Sequence, residues 1–377
     1  MGWEMVKLGD VAEVVTKKVP GENLDPATPY FGLEHLKTGG GILGNSRADA
    51  FSLKGGKPVF ESGDILFGRL RPNLRKAAIA SAPGTCSGDI TILRMINGDD
   101  THYLLHFLLS GFAFAQINRH LNGINLPRIN NRDLLEIKVP LPPLEEQQRI
   151  ATILETVEEA IRAEEQSISK LETLIKNLAP ETNRTVPIGE YVERIVSGKS
   201  LKEHSTPGGP RVLKISSTTS GYFKPEESKP LDPSYEPPEH HRVQEGDLLV
   251  SRANTTELVG ASAIVDQPYE NLLLPDKLWR LVTKDSVDPF FLWACLQHPL
   301  TRNAISKASS GSGGSMKNIS QTNFLSVEIP DVDAALQTTV GNQVRTAFHQ
   351  RALRSSKLTL LRELYTSLSS RAFSREL

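Results

Sequence analysis

Along this chain, the hydrophobic and polar residues follow a strand-like pattern and then a helix-like pattern, and this order is the same in each half. Short runs rich in β-branched and other apolar residues, such as residues 63–70 and 246–253, predict strands because Gly, Pro and Asp bound them. Longer apolar stretches at residues 101–121 and 289–308 predict helices. Each half is therefore predicted to form one domain with both helices and strands.

Three segments of the first half return in the second half in the same order. The matching pairs are residues 6–15 with 186–196, 61–71 with 244–254, and 129–140 with 319–330. The offset between partners increases slowly along the chain, as insertions in surface loops would produce. We interpret the chain as a tandem duplication.

A long helix is predicted to begin just after Pro142 and Pro143, where a missing backbone N–H costs nothing. Glu145 and Glu146 suit the first turn, since negative charge favours the positive end of the helix dipole. The heptad positions that follow are mostly apolar: Ile150, Leu154, Val157, Ile161, Glu164, Ile168, Leu171, Ile175 and Leu178. This narrow seam is typical of a coiled coil, and its 35 residues would extend about 52 Å.

A second seam lies about 190 residues later: Val340, Val344, Ala347, Arg351, Arg354, Leu358, Leu361, Tyr365 and Leu368. Residues 144–178 carry eight Glu against four Lys and Arg, whereas residues 340–371 carry one Glu against six. An acidic and a basic helix should pair with one another. An antiparallel pair would place Glu164 opposite Arg354, with Arg351 close by, as a contact that fixes the register. The alternative is two unrelated amphipathic helices, each packed on its own domain.

These patterns predict a mixed α+β (α/β) fold with two repeated domains joined by two long helices in an antiparallel coiled coil. The expected boundaries are 1–142 for the first domain, 143–180 for the central helix, 181–330 for the second domain and 331–377 for the C-terminal helix.

Composition and charge narrow the class of protein. The 377 residues are 38% hydrophobic and carry a net charge of -1. No apolar run is long enough to cross a bilayer, and the N-terminus lacks the apolar core of a signal peptide, so we expect a cytoplasmic protein. Cys86 and Cys295 are expected to be reduced, buried thiols. Residues 65–88 and residues 289–327 each contain basic but no acidic side chains, and these two patches lie in separate halves of the chain.

At residues 134–178 the chain resembles the DNA-specificity (S) subunit of type I restriction–modification enzymes. The resemblance is carried by a strand, Leu-Pro-Pro, Glu-Gln-Gln-Arg-Ile and the heptad seam, and the repeat extends it to the whole chain. The second half lacks the twin proline and the Glu-Gln pair. The family implies two target-recognition domains, each of which reads half of a bipartite site in double-stranded DNA. It also implies two methyltransferase (M) subunits, restriction (R) subunits, and S-adenosylmethionine, ATP and Mg in those partners.

Candidate DNA contacts follow from the residue types that bind phosphates and base edges, namely Arg, Lys, Asn and small polar groups. They lie in a loop after a predicted strand and in the loop before the closing strand of each half. In the first half they are Arg69, Arg71, Arg75, Lys76, Asn122, Gly123, Asn125 and Arg128. In the second half they are Arg252, Asn254, Lys307, Ser312, Ser315, Lys317 and Asn318.

No catalytic pattern accompanies them. The chain has no P-loop, and its Pro-Pro pairs lack the Asn or Asp and the aromatic residue of an amino-methyltransferase. Glu136 and Lys138 resemble part of a nuclease motif but lack an upstream acidic partner, and His240 and His241 lack further ligands at metal spacing. We therefore expect a non-catalytic subunit without a metal of its own. The alternatives are a specificity subunit for a modification enzyme without restriction, a coiled-coil scaffold that never reads DNA, and a nuclease with an unrecognised site.

Overall fold

The computed structural model describes residues 3–48, 55–121, 123, 125–205, 208–311 and 316–374. The chain divides into two units. The first unit comprises residues 1–163 and 358–377, and the second comprises residues 164–357. Each unit therefore contains one globular domain and one part of each long helix.

The first unit is built around an antiparallel four-stranded sheet in the order β2-β10-β7-β8 and a five-stranded sheet in the order β3-β6-β9-β4-β5. Its strands are β1 (Glu4–Lys7), β2 (Ala12–Val14), β3 (Lys18–Pro20), β4 (Pro29–Phe31), β5 (Ser46–Arg47), β6 (Gly56–Phe60), β7 (Ile65–Gly68), β8 (Ala77–Ile79), β9 (Gly84–Cys86), β10 (Ile90–Met95) and β11 (Lys138–Leu141). Its shorter helices are α1 (Leu8–Val11), α2 (Thr101–Leu109), α3 (Gly111–Ile117) and α4 (Asn131–Leu135), and α5 (Leu144–Asn177) begins in this unit. Strands β1 and β11 pair and bring the start of the domain to its end.

The second unit repeats the four-stranded sheet, here in the order β13-β20-β16-β18, whereas its second sheet has only three strands in the described residues, in the order β15-β14-β19. Its strands are β12 (Thr185–Pro187), β13 (Val192–Ser197), β14 (Arg211–Leu213), β15 (Ser228–Pro230), β16 (Leu248–Ser251), β17 (Ala253–Asn254), β18 (Ser262–Ile264), β19 (Leu272–Leu273), β20 (Leu278–Thr283), β21 (Lys317–Asn318) and β22 (Glu328–Pro330). Its helices are α6 (Pro289–Gln297), α7 (Pro299–Ala308), α8 (Gln321–Leu325) and α9 (Ala334–Ser374), the last of which ends in the first unit. The predicted mixed, duplicated fold is confirmed.

Each predicted domain helix is broken into two. The stretch 101–121 ends its first helix at Ser110, whose extended backbone and hydroxyl cap the start of α3 by accepting a hydrogen bond from the Ala113 N–H. The stretch 289–308 breaks at His298, because Pro299 has no N–H with which to continue a helix. Hydrophobic periodicity alone did not reveal these breaks.

The repeated Gly-Asp pair that precedes the central strand of each domain has a structural role. The Asp64 carboxylate accepts the Glu61 N–H and two hydrogen bonds from Arg94, at 2.7 and 2.8 Å. In the second unit Asp247 accepts the Gln244 N–H and a hydrogen bond from Arg280 at 3.0 Å. The acid thus closes a turn and joins two strands in both domains.

The long helices pack against each other inside each unit. In the first unit, Ile150 and Leu154 share a core with Ala372 and Phe373 near the end of α9. In the second unit, the seam of α5 meets that of α9 beside Val344 and Ala347. All the predicted seam positions of both helices are buried or half-buried. Neither long helix, nor any other helix in the described ranges, has the apolar length that a membrane span requires.

Arg351 differs from the predicted arrangement. Its guanidinium donates to Glu172 at 2.9 Å and lies over the Tyr222 ring, 3.4 Å from the ring centre. The prediction placed it near Glu164, but Lys357 takes that place and donates to Glu164 at 2.7 Å. The offset between the repeats predicted which seam positions of the two helices lie opposite each other. It did not predict which of the neighbouring cations contacts Glu164.

Candidate nucleic-acid interface

In the first domain, the two predicted DNA-contacting loops are adjacent. The Ile129 N–H donates to the Arg69 carbonyl at 3.1 Å, and the Arg71 N–H donates to the Pro127 carbonyl at 2.8 Å. The segment after β7 and the segment before α4 therefore run side by side as a short antiparallel pair. Bonded residues 56 to 60 positions apart in sequence are thus brought onto one surface, which we call the first loop pair (residues 69–76 and 123–129, without 124).

The backbone of the first loop pair is strained at two arginines. Arg71 and Arg75 adopt left-handed φ angles of 51° and 48° on either side of a 3₁₀ turn, Pro72–Leu74. A residue other than glycine is uncommon in this region, and such strain persists only when its surroundings impose it. Arg71 is exposed, and its guanidinium has no hydrogen-bond or ionic partner among the described residues. Among the cations of the first loop pair, Arg71 is therefore the one most available to a ligand.

Two other basic side chains of the first loop pair, those of Lys76 and Arg75, contact the protein itself. Lys76 donates to the Leu33 carbonyl at 2.7 Å, and the Arg75 guanidinium lies 5.5 Å from the centre of the Phe114 ring. Arg69 is half-buried, and its Nε has no partner in the described part of the chain. Lys76 therefore has an internal role, and its assignment as a DNA contact stays a prediction.

Amides and one further cation complete this surface. Gly123 and Asn125 are exposed, and Gly123 has a left-handed φ of 94°. Arg128 is exposed and donates to Asp89 at 3.2 Å, a contact that a phosphate could replace because surface ion pairs are weak. Asn122 lies outside the described residues.

The second domain brings together the matching segments, which we call the second loop pair (residues 252–254 and 316–319). The Ile319 N–H donates to the Arg252 carbonyl at 2.9 Å, the same contact that Ile129 makes with Arg69. Strand β17 pairs with β21, so that Asn254 lies opposite Lys317. The two loops that the sequence selected are thus adjacent here too.

The predicted DNA contacts of the second domain differ in how far their side chains are exposed to solvent. Arg252, Lys307 and Asn318 are exposed, whereas Lys317 is half-buried. Asn254 is also half-buried, and its side-chain oxygen accepts the Thr255 N–H at 2.9 Å. Ser312 and Ser315 lie outside the described residues.

Two equivalent residues next to the loop pairs, Asp89 in the first domain and Lys277 in the second, carry opposite charges. The Arg69 N–H donates to the Asp89 carbonyl at 3.0 Å, and the Arg252 N–H donates to the Lys277 carbonyl at 3.1 Å. Asp89 and Lys277 therefore occupy equivalent places before β10 and β20. Sequence reasoning did not select Lys277, which is 25 residues from Arg252 and lies in a segment without a motif.

Residues 1–173 match the type I restriction modification DNA specificity domain. The chain is 26% identical over 240 residues to the EcoKI specificity subunit of Escherichia coli K12, an alignment that covers 56% of this chain and 52% of that subunit. It is 32% identical over 157 residues to the Escherichia coli EcoDI specificity subunit, over 41% of this chain and 34% of that subunit. The chain thus spans about half or less of the length of these relatives.

The fold agrees with this match. The crystal structure of a type I restriction–modification S subunit from M. genitalium superposes with a TM-score of 0.64 at 16% identity, over 99% of this chain and 96% of that one. That likeness covers both domains and both long helices. Residues 1–173 are thus similar to the DNA specificity domain of type I restriction–modification systems, and the chain shares the fold of that S subunit.

Proposed function

We propose that the chain is the non-catalytic subunit that gives a type I restriction–modification system its DNA sequence specificity, each domain reading one half of a bipartite site in duplex DNA. The observation that carries this proposal is the repeated loop pair, with Ile129 bonded to Arg69 and Ile319 bonded to Arg252. Both pairs present Arg and Asn side chains, the groups that contact phosphates and base edges. Because the side chains of the two pairs differ, the two half-sites should differ in sequence.

The proposed partners are methyltransferase subunits, with two bound per chain, and restriction subunits. S-adenosylmethionine, ATP and Mg would belong to those partners, which would carry the methyl-transfer and cleavage chemistry. Exposed leucines on α9 support a docking role for the long helices: Leu360 is 65% exposed and Leu364 is 46% exposed. Such exposed apolar residues are favourable places for another protein to bind.

Mapping methylated adenines in cells with and without this gene tests the proposal. The expected result is one asymmetric, gapped motif that disappears when the gene is deleted. Replacing Arg252 and Asn318 with Ala should change or abolish recognition of one half of the motif. The matched change of Arg71 and Asn125 should affect the other half, because each pair of residues lies in a different domain.

The purified chain should bind duplex DNA but transfer no methyl group and cut no strand. Stoichiometric methyl transfer by the pure chain would overturn the non-catalytic assignment. A methylation pattern that is unchanged by gene deletion would overturn the specificity role. Binding to a partner without any salt-dependent binding to duplex would favour a scaffold, since phosphate contacts make affinity fall with salt.

A further inference from the structure

The second domain has a basic cavity that lies next to its loop pair. The cavity has a volume of about 390 Å³, and its lining includes Lys214, Lys229 and Lys277 together with Ser200, Ser216 and Asp276. The Lys277 carbonyl accepts the Arg252 N–H, so the cavity directly adjoins the second loop pair. We propose that Lys214, Lys229 and Lys277 bind the phosphate backbone of the duplex, and that this phosphate-binding site belongs to the second domain only.

Three different segments of the chain supply the lysines. Lys214 follows β14 and precedes a 3₁₀ turn, Lys229 lies at the centre of β15, and Lys277 immediately precedes β20. Strand pairing brings them together, because β14 is hydrogen-bonded both to β15 and, in parallel, to β19. Positive charges separated by up to about 60 residues are thus concentrated around one opening.

The three ammonium groups are available. None of them has a hydrogen-bond or ionic partner among the described residues, and Lys214 and Lys277 are exposed. Asp276 is the one acidic side chain that lines the cavity, so the lining is net positive. Like charges that line one cavity repel one another, and a bound anion reduces that cost. The DNA backbone supplies phosphates at regular spacing along such a surface.

Among the described residues of the first domain, the three positions equivalent to these lysines carry no lysine. Gly32 occupies the position of Lys214, since each is the residue before the equivalent 3₁₀ turn. Ser46 pairs with Tyr30 as Lys229 pairs with Val212, and Asp89 occupies the place of Lys277. Three lysines in one domain therefore correspond to glycine, serine and aspartate in the other. The two domains should contribute unequally to sequence-independent affinity.

The test measures binding of the full-length chain to a random-sequence duplex across a range of salt concentrations. Changing Lys214, Lys229 and Lys277 to Gln should lower affinity about tenfold or more at 0.1 M salt and reduce the salt slope by about 2 to 3, at roughly 0.9 per phosphate contact. The control changes Lys170, Lys176 and Lys224 to Gln, three exposed lysines of the same unit that do not line the cavity. That variant makes the same change in net charge and should keep the slope.

The outcomes distinguish this inference from the proposed function on which it rests. If the unchanged chain does not bind duplex, the proposed function fails. If it binds and the cavity variant has the same slope as the control, only the phosphate site is overturned. Calorimetric titration with inorganic phosphate separates the remaining source of anion: phosphate that binds the unchanged chain but not the cavity variant, while both keep the same salt slope on duplex, would assign the cavity to a free anion instead.

Discussion

Glu164 of α5 and Arg354 of α9 are bonded to each other: Arg354 Nη1 donates to Glu164 Oε2 at 2.9 Å. Lys357 donates to the other carboxylate oxygen, so two cations share one acid whose side chain is only 7% exposed. The hydrogen bond from Lys357, followed by that from Arg354, lowers the pKa of the Glu164 carboxyl below its usual value. This pair lies among apolar seam positions of two helices that run antiparallel, and its role in fixing their register is a prediction.

Reversing the charges tests that register. Glu164→Arg should lower the thermal midpoint, because it places three cations together inside the seam. Adding Arg354→Glu should restore part of the loss, and Lys357 should prevent full recovery. Thermal unfolding of both single variants and the double variant measures the coupling. Glu159→Arg, at an exposed position of α5, is the control and should change the midpoint little. Strict additivity of the two single variants would contradict the register.

The pH dependence of the same pair has a definite sign. Because the folded pKa of Glu164 is lowered, its contribution to stability is present above the unfolded pKa and is lost as the pH falls through the folded value. Wild type should therefore lose more stability on acidification than Glu164→Gln does. Midpoints measured between pH 7 and pH 3 give the comparison, and parallel curves would show that the pair contributes nothing.

The sequence was sufficient for features that depend on local pattern or on the repeat. The heptad spacing predicted both long helices, the opposite charges predicted their pairing, and the repeat predicted two similar domains. The positions of the candidate DNA-contacting loops were also predicted from the repeat, because Arg69 and Arg252 occupy matching positions in the two repeated segments. These inferences need only the order of residues along the chain.

Features that depend on long-range packing were not predicted. Strand pairing gathers Lys214, Lys229 and Lys277 from segments without a motif, so no local pattern could connect them. Lys76 looked like a free cation in a basic run, but the fold brings the Leu33 carbonyl to it. The Gly-Asp repeat was used to recognise the duplication, whereas its role in binding Arg94 and Arg280 required the sheet register.

Arg71→Gly should change stability and DNA binding in opposite directions. A left-handed φ of 51° costs an arginine about 1–2 kcal/mol that glycine does not incur, although glycine loses more chain entropy. We expect the free energy of unfolding to rise by roughly 0.5–1 kcal/mol, measured by urea titration. Duplex affinity should fall, and the salt slope should drop by about 1 if the guanidinium binds a phosphate.

The control for Arg71→Gly is Arg194→Ala, an exposed arginine that pairs only with its neighbour Glu193 in the described structure. It should leave both measurements unchanged. If Arg71→Gly binds duplex as the wild type does, Arg71 is not a contact. A variant that is less stable would show that the arginine side chain, rather than the loop, holds this backbone.

Phe373 should be needed to attach the end of α9 to the first domain. Its buried ring lies 5.5 Å from the Tyr103 ring and 5.6 Å from the Phe107 ring, both on α2. Phe373→Ala should cost about 3–5 kcal/mol, since it removes a large buried side chain and leaves a cavity. Leu360→Ala on the same helix is the control and should cost little, because that side chain is 65% exposed. Urea unfolding measures both, and equal losses would refute the packing.

A buried histidine should make the first unit sensitive to acid. His106 on α2 is 1% exposed, and its Nδ1 lies 3.0 Å from the Tyr365 hydroxyl of α9. Burial, together with nearby His102 and Arg162, lowers the pKa of His106 to about 4. Burial raises the pKa of the neighbouring Glu158. Its effect on stability therefore becomes more favourable as the pH falls, which is opposite to the effect of His106.

The sign follows from the depressed pKa of His106. The folded state holds the neutral imidazole, so its contribution is fully present above the unfolded pKa of about 6.5 and is lost as the pH falls toward 4, by about 3 kcal/mol in all. His106→Leu should be less stable at pH 7, since the hydrogen bond between His106 and Tyr365 is lost, yet should lose less stability than wild type between pH 7 and pH 4. His349→Gln, at an exposed position of the second unit, should keep the wild-type dependence. Midpoints at several pH values decide the matter, and a His106→Leu curve parallel to that of wild type would show that folding does not lower the pKa of His106.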